Sequence, residues 1–273
     1  MGTPIGNLRD ITLRALDVLK AVGIVAAEDT RVTSKLLHHY GIAAKLTALH
    51  EHNEERAIGP LLAELERGKS VALVSDAGTP GISDPGARLV AAARAAGCKV
   101  SPVPGASAAA AAVSVSGMNA RHFLFYGFLP ARASERRHEL AALAAYPFAL
   151  VFFEAPHRIV ESVTDMAEGL GAQRRVVIAR ELTKLFESIH ACALGEAAEW
   201  LAADPNRRKG EFVLVVEGAA PVPAHDGEAR RTLEILLSAL PLKQAVTLAT
   251  QITGAKRNRL YELALQLQGG RER

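Results

Sequence analysis

The sequence predicts an α/β protein of two α/β domains with a cleft between them and a small C-terminal helical tail. Three observations predict it. Short β-branched or apolar runs alternate with amphipathic segments along most of the chain. Composition breaks near residues 116–121 and 219–227 divide the chain into three parts. The length, 273 residues, exceeds the usual size of one domain. With 49% hydrophobic and 22% charged residues, each half has the apolar material for a core, and a cleft between two domains is the default ligand site.

Read in order, a helix over 10–21 leads into a strand at 24–27, and helices over 33–40 and 54–67 lead into a strand at 71–75. A helix over 87–96, a strand at 100–103 and a helix over 107–114 follow, and the first domain is set at 1–117. The second domain, 118–219, takes strands at 123–126, 149–153, 176–179 and 212–216, with helices over 134–144, 158–169 and 196–203. The rhythm predicts largely parallel sheets. The apolar run 188–193 follows its predecessor too closely for a helical crossover, so the second sheet is expected to include antiparallel strands. The tail, 228–273, reads as helices over 229–240, 242–252 and 255–267, the last two separated by Gly254.

The net charge of +3 permits an anionic partner such as nucleic acid without requiring one. Cys98 and Cys192 lie in apolar runs with no zinc or redox spacing and read as reduced, buried thiols. The start has no charged-then-apolar signal pattern, and the alanine-rich run 106–115 is too short and too broken by serine to span a bilayer, which predicts a cytoplasmic protein.

Polar chemistry gathers at strand ends. The strongest feature runs from Val74 to Gly86, where a buried strand ends at Ser75 and a loop with three glycines and two prolines precedes a helix. Open α/β sheets bind ligands in such loops at the carboxyl ends of strands. Glycine admits close backbone approach and proline fixes the loop's shape. Asp76 is placed to hold a cationic group, the structural alternative being a rigid connection with capping aspartates. The loop carries no lysine, is not GxxxxGK[ST], and no GxGxxG occurs in the chain, which disfavours nucleoside triphosphates and dinucleotides. A ligand with an ammonium, a carboxylate and a neutral adenosine suits it, and S-adenosylmethionine has those groups.

Pro104-Gly105-Ala106-Ser107-Ala108 forms a second strand-to-helix turn, whose amides favour a carboxylate or a polar ligand; tight packing explains it equally well. Glu28-Asp29-Thr30-Arg31 closes another strand. Its carboxylates can bind a polyhydroxylated substrate or take a proton from a hydroxyl; helix capping by Asp29 or Thr30, with Arg31 on the surface, is an even alternative. His50-Glu51-His52 lacks a third ligand, so no metal is predicted. Glu154-Ala155-Pro156-His157-Arg158 and Arg180-Glu181-Leu182-Thr183-Lys184 mark two further strand ends, each structural when taken singly. Arg132, Arg136 and Arg137 cluster at a helix start, Arg207, Arg208 and Lys209 in one loop, and Lys243, Lys256, Arg257 and Arg259 in the tail. Such blocks ordinarily form solvated surface, but three of them in so modestly charged a chain point to phosphate-binding patches. The tail's helix, glycine turn and basic helix resemble a helix-turn-helix, with a small helical cap as the alternative.

Taken in order, the motif Thr3-Pro4-Ile5-Gly6-Asn7-Leu8, the acidic strand end at 28–31, Ser75-Asp76-Ala77-Gly78-Thr79-Pro80, Ile82-Ser83-Asp84-Pro85-Gly86, the motifs at 154–158 and 180–183, and Arg207-Arg208-Lys209-Gly210-Glu211 resemble one family over essentially the whole chain. It is that of the bacterial small-subunit ribosomal RNA ribose-2′-O-cytidine methyltransferases, within the tetrapyrrole methylase superfamily. The resemblance implies two domains of the tetrapyrrole methylase type with S-adenosylmethionine folded into the cleft, and a homodimer. It implies as substrate the ribose of a cytidine in the decoding region of 16S rRNA, free or in the 30S subunit. By position, Asp76, Gly78, Thr79 and Pro80 would touch the methionine end of the cofactor, Ser107 and Ala108 would come from the second loop, and Phe153 and Ala179 would flank the adenosine. Family members carry a short apolar strand before the Thr3–Leu8 motif, where here only Met1 and Gly2 stand. Either upstream residues supply that strand or the first sheet lacks it. If they supply it, this chain is expected to be poorly stable and to bind cofactor weakly, which adding the upstream codons tests. Pro-Gly-Ala-Ser also departs from the usual Pro-Gly-Pro.

A sulfonium is already a good leaving group, so placement and desolvation become the protein's main tasks. A ribose hydroxyl is a poor nucleophile at neutral pH, so a base within hydrogen-bond reach is expected: Glu28 or Asp29, with Arg31 on a neighbouring phosphate and Lys184 in reserve. Two rivals stand beside this reading. One is methylation of a tetrapyrrole or protein, against which the basic tail argues. The other is a non-catalytic RNA-binding ribosome assembly factor, against which the intact cofactor loops argue.

Overall fold

The computed structural model describes residues 1–220 and 224–269. They divide into two compact units, residues 1–218 and the segment from 219 onward. No helix among the described residues is long and apolar enough to cross a membrane.

In the first unit, Asn7 caps a single 3-10 turn, Leu8–Asp10, and Thr12 then caps α1 (Leu13–Ala21) by accepting from Ala15 N. The helix expected from residue 10 therefore starts three residues later. β1 (Ile24–Ala27) is followed by α2 (Thr30–His39), β2 (Lys45–Ala48), α3 (Glu54–Glu66), β3 (Val71–Val74), α4 (Ala87–Ala95) and α5 (Ala108–Val115). β1 lies between β2 and β3, parallel to both. All four of its residues are buried, as in a parallel strand covered on both faces. Val25 and Ala27 face Leu19 of α1 and Leu37 of α2, while Ile24 and Ala26 face Leu61 of α3 and Leu89 of α4.

The strand expected at 100–103 is not formed. Gly2 N–H reaches Val103 O and the Met1 ammonium reaches Leu73 O, so the first residues lie between that segment and β3 and no ladder builds there.

The same unit continues with β4 (Phe123–Phe128), α6 (Ala133–Leu143), β5 (Ala149–Glu154), α7 (Ile159–Leu170), β6 (Arg175–Arg180), β7 (Ser188–Ala193), α8 (Leu194–Ala202) and β8 (Phe212–Val216). The second sheet runs β4-β5-β8-β6-β7. Only β4 and β5 are parallel; the other three pairings are antiparallel, so this sheet is mostly antiparallel rather than largely parallel. β7 pairs antiparallel with β6, as its short connection requires.

Period-two alternation sorts the strands' side chains. Leu150, Phe152, Val176, Ile178, Leu214 and Val216 enter one core with α6, α7 and α8. Val151, Val177, Ala179, Val213 and Val215 turn to the other face, where Ile5 and Ala109 and Ala112 of α5 cover them and Phe153 packs beside them.

Arg136 does not join a surface patch. It is 2% exposed, with Nε 2.6 Å from Asp165 Oδ2 and Nη1 donating to the carbonyls of Pro130 and Ala131. Arg137 takes the other Asp165 oxygen at 2.7 Å. Removing one partner of a buried ion pair strands the other, so Asp165→Ala is expected to cost about 3–5 kcal/mol in urea unfolding; an unchanged midpoint would contradict the pairing.

The second unit is helical: α9 (Ala224–Leu237), α10 (Leu242–Thr253) and α11 (Arg257–Gly269) share a core of Leu233, Val246, Ala249, Leu260 and Ala264. Gly254, at φ 68°, ends α10 in the left-handed conformation that halts a helix.

Candidate functional site

Three loops beside the first sheet are braced together. Thr3 and Gly78 exchange both backbone hydrogen bonds, and Thr3 Oγ1 donates to Ser75 O. Thr79 Oγ1 donates to Ala106 O, tying the 75–80 loop to the turn before α5. At the ends of the parallel strands β1 and β3, Asp76 N donates to Glu28 Oε2 at 3.2 Å and Asp29 N donates to Asp76 Oδ1 at 2.9 Å. Gly78, at φ 82°, turns the loop back towards Thr3 in a conformation most side chains resist. Gly86, at φ 122°, also leaves no room, because a Cβ there would lie 2.5 Å from a Leu73 methyl.

Between these loops and the second sheet lies a cavity of about 410 Å³, within the range of small-ligand sites. Asp76, Gly78, Thr79, Ser107 and Ala108 line it from the first side, with Glu28. Phe153 and Ala179 line it from the sheet, joined by Phe128, Phe212 and Val213, which sequence reasoning did not single out. Pro80 shapes the loop without lining the cavity. Among the described residues, the lining includes five acidic residues, Glu28, Asp76, Asp84, Glu154 and Glu211, and no lysine, arginine or histidine. The Glu154 side chain is fully buried against Arg158, so its carboxylate does not face the cavity.

Asp29 and Arg31 stand apart from this lining. Asp29 is the N-cap of α2, accepting from Arg31 N, and its carboxylate holds the Arg31 guanidinium at 2.6 Å. The Arg31 side chain holds the Asp29 carboxyl down to about 2, which makes it a poor proton acceptor. Lys184 bridges Glu181 at 2.8 Å and Glu211 at 2.9 Å. Burial disfavours its charge, but the two carboxylates outweigh burial and hold its pKa above the ordinary lysine value. Asp84 differs from the other acids of the cavity. Burial raises its carboxyl to about 6, the charges of Glu28 and Asp76 add to the rise, and a hydrogen bond with the Ser75 side chain opposes it.

The second sheet anchors its side of the site with buried polar contacts. Glu154 accepts from Ser162 at 2.6 Å and from Arg158 Nε at 2.9 Å. Arg180 reaches the carbonyls of Phe186, Asn206 and Lys209, holding the basic loop beside β7. There Arg207 lies 4.6 Å over the Trp200 ring, whose other face stacks on His190 at 4.0 Å, so Arg207 is tied to the fold while Arg208 and Lys209 are exposed. In the tail, Lys243, Lys256 and Arg257 are exposed.

Residues 1–198 match the family of tetrapyrrole (corrin/porphyrin) methylases, and residues 223–268 match the RsmI C-terminal HTH domain. The chain is 52% identical over 268 residues to ribosomal RNA small subunit methyltransferase I of Escherichia coli O157:H7, covering 98% of this chain and 94% of that one. Among solved structures it resembles the methyltransferase CobJ, with a TM-score of 0.60 at 20% identity over 80% of this chain and 92% of that one. It also resembles uroporphyrin-III C-methyl transferase from Thermus thermophilus complexed with S-adenyl homocysteine, with a TM-score of 0.54 at 20% identity over 79% and 94%. These two likenesses establish the shared fold. The chain belongs to the tetrapyrrole methylase family and, within it, to the methyltransferases named ribosomal RNA small subunit methyltransferase I.

Proposed function

We propose that the chain transfers the methyl group of S-adenosylmethionine to the 2′-hydroxyl of a cytidine ribose in the decoding region of 16S rRNA, in the cytoplasm and as a homodimer. The observation that carries the donor is the charge of the cavity: among the described residues, the acids Glu28, Asp76, Asp84 and Glu211 line it with their side chains, and no lysine, arginine or histidine does. S-adenosylmethionine has two cationic groups against one carboxylate, so such a cavity attracts it and repels phosphate-bearing cofactors. Asp76 would hold the ammonium, while Gly78, Thr79, Ser107 and Ala108 offer backbone and hydroxyl groups to the rest of the methionine end. Phe153, Ala179 and Val213 supply an apolar wall for the adenosine. The donor supplies an activated methyl; the chain's residues supply orientation and exclude water. Glu28, fixed by Asp76 N–H, would orient the ribose. Arg208, Lys209 and the basic tail would meet RNA phosphates, and the curated relative's name supports ribosomal RNA as the acceptor.

Mapping ribose methylation on small-subunit rRNA with and without this gene tests the reading. A methyl on one decoding-region cytidine should vanish with the gene, and an unchanged map would remove the assignment. Phosphate contacts predict RNA affinity that falls steeply as salt rises, and Arg208→Ala with Lys209→Ala should lower that salt slope by about 1–2. Sedimentation equilibrium tests the dimer.

A further inference from the structure

We infer that Asp84 accepts the proton of the ribose hydroxyl, a deepening that rests on the methyl transfer proposed above. The other four acids of the cavity already have partners. Glu154 is bound by Ser162 and Arg158, and Glu211 by Lys184. Glu28 and Asp76 each accept a peptide N–H and so hold the strand ends together. Asp84 lines the same cavity, with the Ser75 hydroxyl beside it, and keeps acceptor capacity for a substrate hydroxyl.

The loop presents this carboxyl rigidly. Ser83, immediately before it, holds a left-handed φ of 64°, a local strain that persists only where surroundings enforce it. The surroundings are visible: Ser83 Oγ packs against Gly127 at the bulge of β4, where a Cβ would come within 2.9 Å of it. On the other side, Glu54 accepts from Gly86 N and Arg88 N, both at 3.0 Å. The charged groups acting on Asp84 are Glu28 and Asp76 from the strand ends, both acidic; across the cavity Glu211 is paired with Lys184, and Glu154 is buried against Arg158. Such surroundings make a stronger proton acceptor than an ordinary carboxylate, yet one still ionised at neutral pH.

The step balances. The 2′-oxygen bonds to the methyl carbon as the carbon–sulfur bond breaks, the sulfur leaves as a neutral thioether, and the hydroxyl proton passes to an Asp84 oxygen and then to water.

The test uses the full chain, Asp84→Asn and Asp84→Glu, with 30S subunits and 16S rRNA as acceptors. Three results are expected. Because folding raises this carboxyl from 3.8 to about 6, its contribution is present at low pH and lost as pH rises through about 6. Above that, Asp84→Asn should melt at or above the wild-type temperature. Calorimetry with S-adenosylmethionine should show affinity lowered by no more than about threefold, the share of one lining carboxylate and far less than the loss of rate. Single-turnover methylation should fall about 10²- to 10⁴-fold, with loss of the limb of kcat/KM that rises near pH 6 in the wild type, and Asp84→Glu should restore part of both. The inference is overturned if Asp84→Asn keeps the wild-type rate or its rising limb, if the wild-type profile is flat through pH 6, or if cofactor affinity falls in step with rate. A wild-type chain that binds the donor but methylates neither acceptor would instead strike the RNA reading, and this inference with it.

Discussion

Replacing Asp76 by alanine is expected to weaken S-adenosylmethionine binding by about 10- to 100-fold, the loss that follows when one charged hydrogen bond of roughly 1.5–3 kcal/mol is removed. Two losses combine. The carboxylate would no longer meet the ammonium, and Asp29 N–H would lose its acceptor, leaving the ends of β1 and β3 tied only through Glu28 and the strand ladder. Asp76→Asn separates them, because an amide oxygen can still accept from Asp29 N while the charge is gone; about tenfold weaker binding is expected for it. Titration calorimetry reads both variants, with a thermal melt to confirm folding. Wild-type affinity in the alanine variant would mean that the donor's cationic end lies elsewhere, and the charge argument for the cavity would fail with it.

The cavity was only partly legible in the sequence, for reasons that follow from how it is assembled. Asp76, Gly78 and Thr79 announce themselves because glycine and proline interrupt the pattern at a strand end, and that disruption is local. Phe153, Ala179 and Val213 share a face only once the register of β5, β8 and β6 is set, which no local pattern states; the first two were expected from the family resemblance. Asp29 satisfied two readings equally until its pairing with Arg31 and its capping of α2 were visible. Asp84 stood in a motif that was noticed, but what sets it apart is its burial and the company of Asp76 in the same loop and of Glu28, dozens of residues away in the chain.

The fold shows the same division between local and distant causes. Buried β1 and β8 were readable because continuous apolar runs have few other fates. β2 was missed: it is four residues long, starts at exposed Lys45 and sits at a sheet edge, so it lacks the alternation that betrays a strand. Residues 100–103 have β-branched composition but no neighbouring ladder, and pairing is a property of two segments. Arg136 illustrates the converse error, since a basic cluster in sequence does not reveal that one member is buried against Asp165.

Glu54 yields the second large effect, because this one side chain links stability to the site. Gly86 is the N-cap of helix α4 and has no side chain to cap it. Glu54, at the start of α3, performs the capping from a distance: its Oε1 accepts from Gly86 N and Arg88 N at 3.0 Å and from Leu89 N at 3.4 Å, and the residue is only 8% exposed. A carboxylate at a helix N-terminus also meets the positive end of the helix dipole. Glu54→Ala strands these donors in a poorly hydrated place and is expected to cost about 2–4 kcal/mol, combining the loss of a cap with unsatisfied buried groups. Glu54→Gln keeps an acceptor oxygen without the charge and should cost about 1 kcal/mol. The segment that ends at Gly86 carries Asp84 and Ser83, so the alanine variant should also bind S-adenosylmethionine more weakly at temperatures where it remains folded, whereas the glutamine variant should bind nearly normally. Urea unfolding and calorimetry on the same preparations decide it. An alanine variant with wild-type stability would show that α4 is capped by other means, and one that is destabilised but binds normally would show that the loop holds its shape without this anchor.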